Sequence, residues 1–158
     1  MFPVLMPLFH WADHSWISLE IRASTWQFAV LEMIHLLGLT ILLGALMVLD
    51  LRLFGLGMRK QPVSQLARDL SGWMRIGLVT ILGSGILLFF GEPMKLSGNP
   101  SFHVKMLLLF LALVFQFTLF RKVTLSDNAS PGLDKAVGAL SLGLWFGVGL
   151  AGRAIGFL

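Results

Sequence analysis

The chain has 158 residues, enough for one domain. Hydrophobic residues make up 56% and charged residues 13%, where a soluble domain carries about 25% charged residues; a fully water-facing surface is excluded and a lipid-facing one implied. With no cysteine, disulfides, thiolate catalysis, cysteine-ligated zinc or iron–sulfur sites and cysteine-attached c-type haem are excluded as well. The net charge of +4 gathers at the ends of apolar runs, which points to membrane topology and anionic headgroups, with no basic face suited to nucleic acid.

Residues 1–22 are too polar and broken to cross a bilayer: they include Pro3, Pro7, Asp13, Glu20 and Arg22. They lack the cationic start and cleavage site of a signal peptide and are expected to be retained. Residues 8–22 are read as an amphipathic helix lying on the membrane surface, with Trp11, Trp16 and Trp26 in the headgroup layer.

A helix needs about 20 apolar residues to cross the hydrocarbon core. Segments at about 25–51, 71–90, 101–122 and 133–157 qualify. The second stops at Gly91-Glu92-Pro93, the third follows Gly98-Asn99-Pro100, and the fourth follows the turn-rich stretch Asp127–Gly132. The predicted fold is all-α: a four-helix transmembrane bundle with an N-terminal interfacial amphipathic helix, forming a single membrane domain over 1–158.

Basic residues set the orientation. Arg52, Arg59, Lys60, Arg68, Arg75, Arg121, Lys122 and Lys135 lie on one side, and Arg22, Lys95, Lys105 and Arg153 on the other. By the positive-inside rule both termini face away from the cytoplasm. Gly143, Gly147, Ala151, Gly152 and Gly156 in the fourth span, with Gly77, Thr80, Ser84 and Gly85 in the second, suit close helix packing. Gln116 and Trp145 are mid-span polar groups expected to bond between helices. Asp50, Arg52 and Arg75 cluster at the inner face, where a capping salt-bridge network is expected and an inner binding site is the alternative.

Ionisable residues within a span are expensive and need a partner or a function. His35 lies about ten residues, roughly 15 Å, into the first span. Glu32 is one turn before it and Gly38 one turn after, on the same face. Gly38 leaves room for a flat group, and imidazole is a common axial ligand, so haem is the candidate. His103 in the third span is the candidate second ligand. The two histidines differ in height by roughly 12 Å when measured from the outer ends of their spans and by roughly 5 Å from the inner ends. Lys105 and Arg153 are candidates to hold haem propionates; the same pair also suits neutralising Glu32 and Glu92, or reaching headgroups. The plainer alternative is that His35 only hydrogen-bonds across the bundle, with Glu32 accepting from it. Glu32-x-x-His35 resembles half of a di-iron site, whose second half is missing. Met6, His10 and His14 recur every four residues and would suit copper if helical; the alternative is an interfacial helix whose histidines face headgroups.

The strings Glu32-Met33-Ile34-His35-Leu36-Leu37-Gly38, Asp50-Leu51-Arg52-Leu53-Phe54-Gly55, Asn99-Pro100-Ser101-Phe102 with Lys105, and Ala151-Gly152-Arg153 together resemble an uncharacterised family of small bacterial four-helix membrane proteins, from about Leu8 to Phe157. That resemblance implies the fold and no function. The intramembrane histidine followed by Leu-Leu-Gly is similar, more distantly, to the copper-resistance D family and to the small haem-binding membrane protoporphyrinogen oxidases. The latter similarity implies that His35 binds haem b and that Lys105 is functional. The expected function is haem b-dependent electron transfer, linked to quinone. The alternatives are copper handling and a non-catalytic subunit of a membrane complex. Membrane lipid, a second copy of the chain or other membrane subunits are the expected partners.

Overall fold

The computed structural model describes residues 6–57, 60–126 and 130–157. Arg59 of the basic loop, residues 127–129 of the last turn and Pro3 lie outside the described residues. Among the described residues there are helices and no strands.

The N-terminal segment is helical but divided. Helix α1 (Met6–Asp13) and helix α2 (Trp16–Ala23) take the place of the single helix expected over 8–22. The break has a local cause. Ser15 accepts a hydrogen bond from the Ser18 amide as the N-cap of α2, so its backbone is extended and a new helix begins there. Each short helix turns apolar residues inward, Phe9 and Ala12 from α1 and Ile21 from α2, and leaves Trp11 and Trp16 exposed.

The four long helices are α3 (Thr25–Leu53), α4 (Val63–Gly91), a composite third span and a fourth, and all are long and apolar enough to cross a membrane. The chain is thus a multi-pass helical membrane protein. Helix α4 starts eight residues before the expected span. Its first turns bury Ser64, Leu66 and Ala67 and expose Gln65, Arg68 and Asp69, an amphipathic start that apolar length alone does not reveal. Helix α5 (Pro93–Ser97) is a single unpredicted turn after Glu92.

The third span consists of α6 (Pro100–Phe115), a π-helical turn over Gln116–Phe120, and α7 (Arg121–Thr124). Asn99 caps its start through the amides of Ser101 and Phe102, and Pro100 occupies the first turn, where a missing N–H is harmless. Helix α8 (Pro131–Ala154) has the same design, with Ser130 as N-cap and Pro131 in its first turn. It ends three residues short of the expected Phe157.

Helix α4 packs on α3, α3 on α8, and α8 on α6. The α3–α4 contact is closest at Gly38 and Gly77. A Cβ on Gly77 would lie 2.8 Å from the Leu42 backbone nitrogen, and one on Gly38 2.7 Å from Thr80. Only glycine lets these backbones approach so closely. Spans 2 and 3 meet through side chains instead. At the end capped by α1, α2 and α5, Phe89 stacks on Phe102 with ring centroids 6.2 Å apart, and Phe9 packs edge-on to both. Toward the opposite end Gln116 Nε2 reaches Met74 Sδ at 3.9 Å. A core of Leu42, Leu46, Leu49, Ile81, Phe120 and Trp145 fills the interior. Outward-facing Leu37, Val79, Phe110 and Leu150 are exposed, as befits a surface solvated by lipid tails.

Candidate functional site

One polar layer near the capped end draws on all four spans. His35 on α3 is half-buried, and its Nδ1 lies 2.9 Å from Ser84 Oγ on α4. The Ser84 hydroxyl donates to the Thr80 carbonyl. Its oxygen is therefore the acceptor, and Nδ1 carries the proton that it receives. The Ile81 carbonyl is a further neighbour of the ring. Nε2 makes no hydrogen bond among the described residues, so this tautomer leaves it with a lone pair. Gly85 gives the ring its place: a Cβ there would lie 3.3 Å from His35 Cε1.

Lys105 on α6 comes from the opposite side, mostly buried, with its stem laid across Gly152 of α8. A Cβ on Gly152 would meet Lys105 Cε and Nζ at 3.4 Å. The ammonium is close enough for its charge to act on His35, and among the described residues it has no carboxylate partner. One turn deeper, Leu39 touches Gly149 and Leu108 approaches Gly147, which sets His35, Ser84, Lys105 and Gly152 at one level.

The other candidate residues are arranged differently. Gly38 provides no slot beside His35, because Thr80 and Ile81 of α4 fill its open side. Glu32 is exposed, and the hydrogen bond expected from His35 to it is made to Ser84 instead. Arg153 is exposed, with its guanidinium 4.8 Å from the Phe157 ring centroid. His103 Nδ1 donates to the Asn99 carbonyl at 2.9 Å, and its ring packs against Phe102. No described contact joins His103 to His35.

On the N-terminal helices, Met6 and His10 lie on α1, while His14 follows its end. His10 and His14 are exposed and linked by a bond from His14 Nδ1 to the His10 carbonyl. Among the described residues no three His, Asp or Glu side chains are grouped as metal ligands. Arg22 instead secures the segment, pairing with Asp13 and donating to the Gly91 carbonyl at 3.0 Å.

An open, apolar cleft of about 390 Å³ lies between α2, the start of the first span and the end of the second, lined by residues that include Trp16, Glu20, Trp26, Leu31 and Leu87. Leu31 is one turn before His35 and Leu87 one turn after Ser84. The cleft therefore comes within about one helical turn of the His35–Ser84 bond.

The polar groups of the far half are internal. Trp145 Nε1 donates to Gln116 Oε1 at 3.4 Å, so these two bond between helices as expected. Asp50 is 0% exposed and accepts from Ser141 Oγ at 3.0 Å. The expected network with Arg52 and Arg75 does not form. Arg52 donates twice to the Gln61 carbonyl, at 3.1 and 2.9 Å, and Arg75 donates to the Ser71 carbonyl.

Ser84 and Ser141 are the partners that sequence reasoning missed. Each is one hydroxyl in an apolar helix, and its role depends on the rotation of two helices against each other. Their only sequence signal is a small polar group within a span that also contributes to close packing.

No curated protein and no solved structure matches the chain, and the comparisons bring no support to the more distant resemblances to the copper-resistance D family and the protoporphyrinogen oxidases. The model of a family of unknown function, DUF6644, matches residues 8–158; the chain belongs to that family.

Proposed function

We propose that the protein binds haem b and transfers electrons within the membrane, in the inner membrane of a bacterium with both termini on the non-cytoplasmic side. The observation that carries this reading is His35, which has one nitrogen held by Ser84 and a lone pair on the other. A ligating histidine characteristically donates its second N–H to a fixed oxygen, which sets the tautomer and raises the basicity of the ligating nitrogen. The donor set therefore fits a haem iron, which His35 would hold through its free nitrogen. Lys105, at the same level and without a carboxylate partner, suits a propionate. Spans 2 and 3 meet through side chains, which makes that seam the place where a flat group enters with least disruption of the bundle. A bound haem b supplies a one-electron carrier. His103 is the candidate second ligand in this reading.

The cleft about one turn from the His35–Ser84 bond supports the quinone link. Its apolar walls suit an isoprenoid tail, and Glu20 provides a polar group for the head.

A second reading, a non-catalytic subunit, is favoured by the fact that the His35–Ser84 bond ties two spans together unaided. Both readings accommodate assembly with a second copy or with other membrane subunits through the exposed apolar faces. The absorption spectrum of detergent-purified protein, oxidised and then dithionite-reduced, separates the two. A Soret band with sharp reduced α and β bands, lost in His35→Ala, establishes the haem reading. Protein purified without haem from haem-replete cells overturns it, and metal analysis then separates copper handling from a purely structural subunit.

A further inference from the structure

The far half of the bundle contains a group that the haem reading does not use. Asp50 lies in the last turn of α3 before its C-terminus, and its side chain is enclosed between α3 and α8. Gly138 of α8 makes room for that contact: a Cβ there would lie 3.3 Å from the Asp50 carbonyl oxygen. Oδ2 accepts from Ser141 Oγ, and Ser141 is itself 0% exposed. Oδ1 is fully buried and has no hydrogen-bond partner among the described residues.

A charged carboxylate is poorly served at this position. An isolated carboxylate in low dielectric is far more costly than a neutral polar group. It would also face the negative end of the α3 dipole, where cations are favoured and anions are not. Among the described residues ion pairing does not offset this. On α3 itself, Arg52 is committed to the Gln61 carbonyl. On α4, Arg68 reaches Ser64 and Arg75 the Ser71 carbonyl, while Asp69 adds only like charge. On α7, Arg121 and Lys122 are exposed; on α8, Lys135 is exposed, and Asp134 lies within the influence of Arg52. The described ion pairs are both at the other end of the molecule. A metal cation would need six or so oxygen ligands, and the site has two carboxylate oxygens and one hydroxyl. A proton needs a single oxygen.

We propose that Asp50 and Ser141 form a proton-binding site: the carboxyl holds a proton as a neutral acid in the folded protein and, with Ser141, joins the first and fourth spans. Fifteen residues, about 22 Å along the helix, separate it from His35. Between them lie the Trp145–Gln116 bond and an apolar layer that includes Leu42, Ile81 and Val148. The site is therefore independent of whether His35 binds haem, and its enclosure makes proton exchange with the medium slow.

Infrared spectroscopy of the full chain in detergent, with the aspartates carbon-13 labelled, tests the assignment without any cofactor. At neutral pH the wild-type protein should show the carbonyl stretch of a protonated aspartic acid, with a slow shift on transfer to deuterium oxide. Asp50→Asn should lose the band and keep the fold. Ser141→Ala should shift it, because a hydrogen bond to the carboxyl is gone; this variant decides the question if Asp50→Asn does not fold. Absence of the band from the wild-type protein, its survival in Asp50→Asn, or its indifference to Ser141→Ala overturns the proposal.

Discussion

The two ends of this bundle treat polar side chains in opposite ways. Near the capped end, His35 and Lys105 come from helices that do not pack on one another, and each keeps bonding capacity to spare. At the far end, Asp50 and Ser141 come from helices in direct contact and are sealed at 0% exposure. A ligand needs spare capacity and a way in; a fixed interhelical bond needs neither. The same four helices thus separate a site suited to binding from one suited to holding the bundle together.

The largest effect expected is at Trp145, which is 1% exposed and bonded to Gln116. Trp145→Ala should lower stability in detergent by about 2–3 kcal/mol. This is less than the ~3–5 kcal/mol of a water-soluble core, because the separated helices remain in apolar surroundings. Thermal unfolding followed by circular dichroism measures it, and a loss below about 0.5 kcal/mol would place that half among the loosely packed regions. Next comes the helix crossing between the two ends. Gly77→Ala should destabilise by about 1–3 kcal/mol, since the obstacle to the new methyl is the backbone of α3, which cannot move aside as a side chain can.

At the capped end the expected effect is on binding. If haem is present, Ser84→Ala should weaken its retention by about 10–100-fold, the range for losing a group that orients a metal ligand, as read by haem transfer to apomyoglobin. Gly38→Ala should act on stability alone, because that glycine is filled by Thr80 and Ile81; if it released haem as readily as Ser84→Ala, the placement of the site would be wrong. The smallest effects belong to Gly143→Ala, where the added methyl meets nothing within 4 Å, and to exposed Arg153→Ala. Each should fall within about 0.5 kcal/mol of wild type and leave any haem spectrum unchanged.

The long helices were legible in the sequence because crossing a bilayer demands a run of apolar residues that little else requires. Their ends were less so. The start of α4 carries Arg68 and Asp69, so it looked like loop until packing showed which face it buries. The break at Ser15 was a capping signal within a stretch read as one amphipathic helix. For the site, His35 and Lys105 stood out because charge inside a span is rare, and the structure brings these two to one level. Glu32 and Gly38 were grouped with His35 by spacing along one helix. That spacing is correct, but it does not say which neighbour a face meets. The neighbour is α4, which fills Gly38 with Thr80 and supplies Ser84 in the role expected of Glu32. Relations between helices depend on rotation and register, and those are decided by glycine contacts such as Gly38 with Gly77 that become evident only after assembly.

The π-helical turn at Gln116–Phe120 has a consequence for how the two ends are aligned. It places one more residue in a turn than an α-helix would, so the helix beyond it is rotated by about 100° relative to an uninterrupted one. Everything from Pro100 to Phe115 is thereby set out of phase with Arg121–Thr124. Lys105, before the turn, faces Gly152, and Phe120, the last residue of the turn, enters the core. Removing a single residue within the turn would restore a uniform helix of the same phase, with Lys105 and Phe120 still facing as they do, whereas an uninterrupted α-helix through all the present residues would swing one half against the other by about 100°, like a misaligned crankshaft.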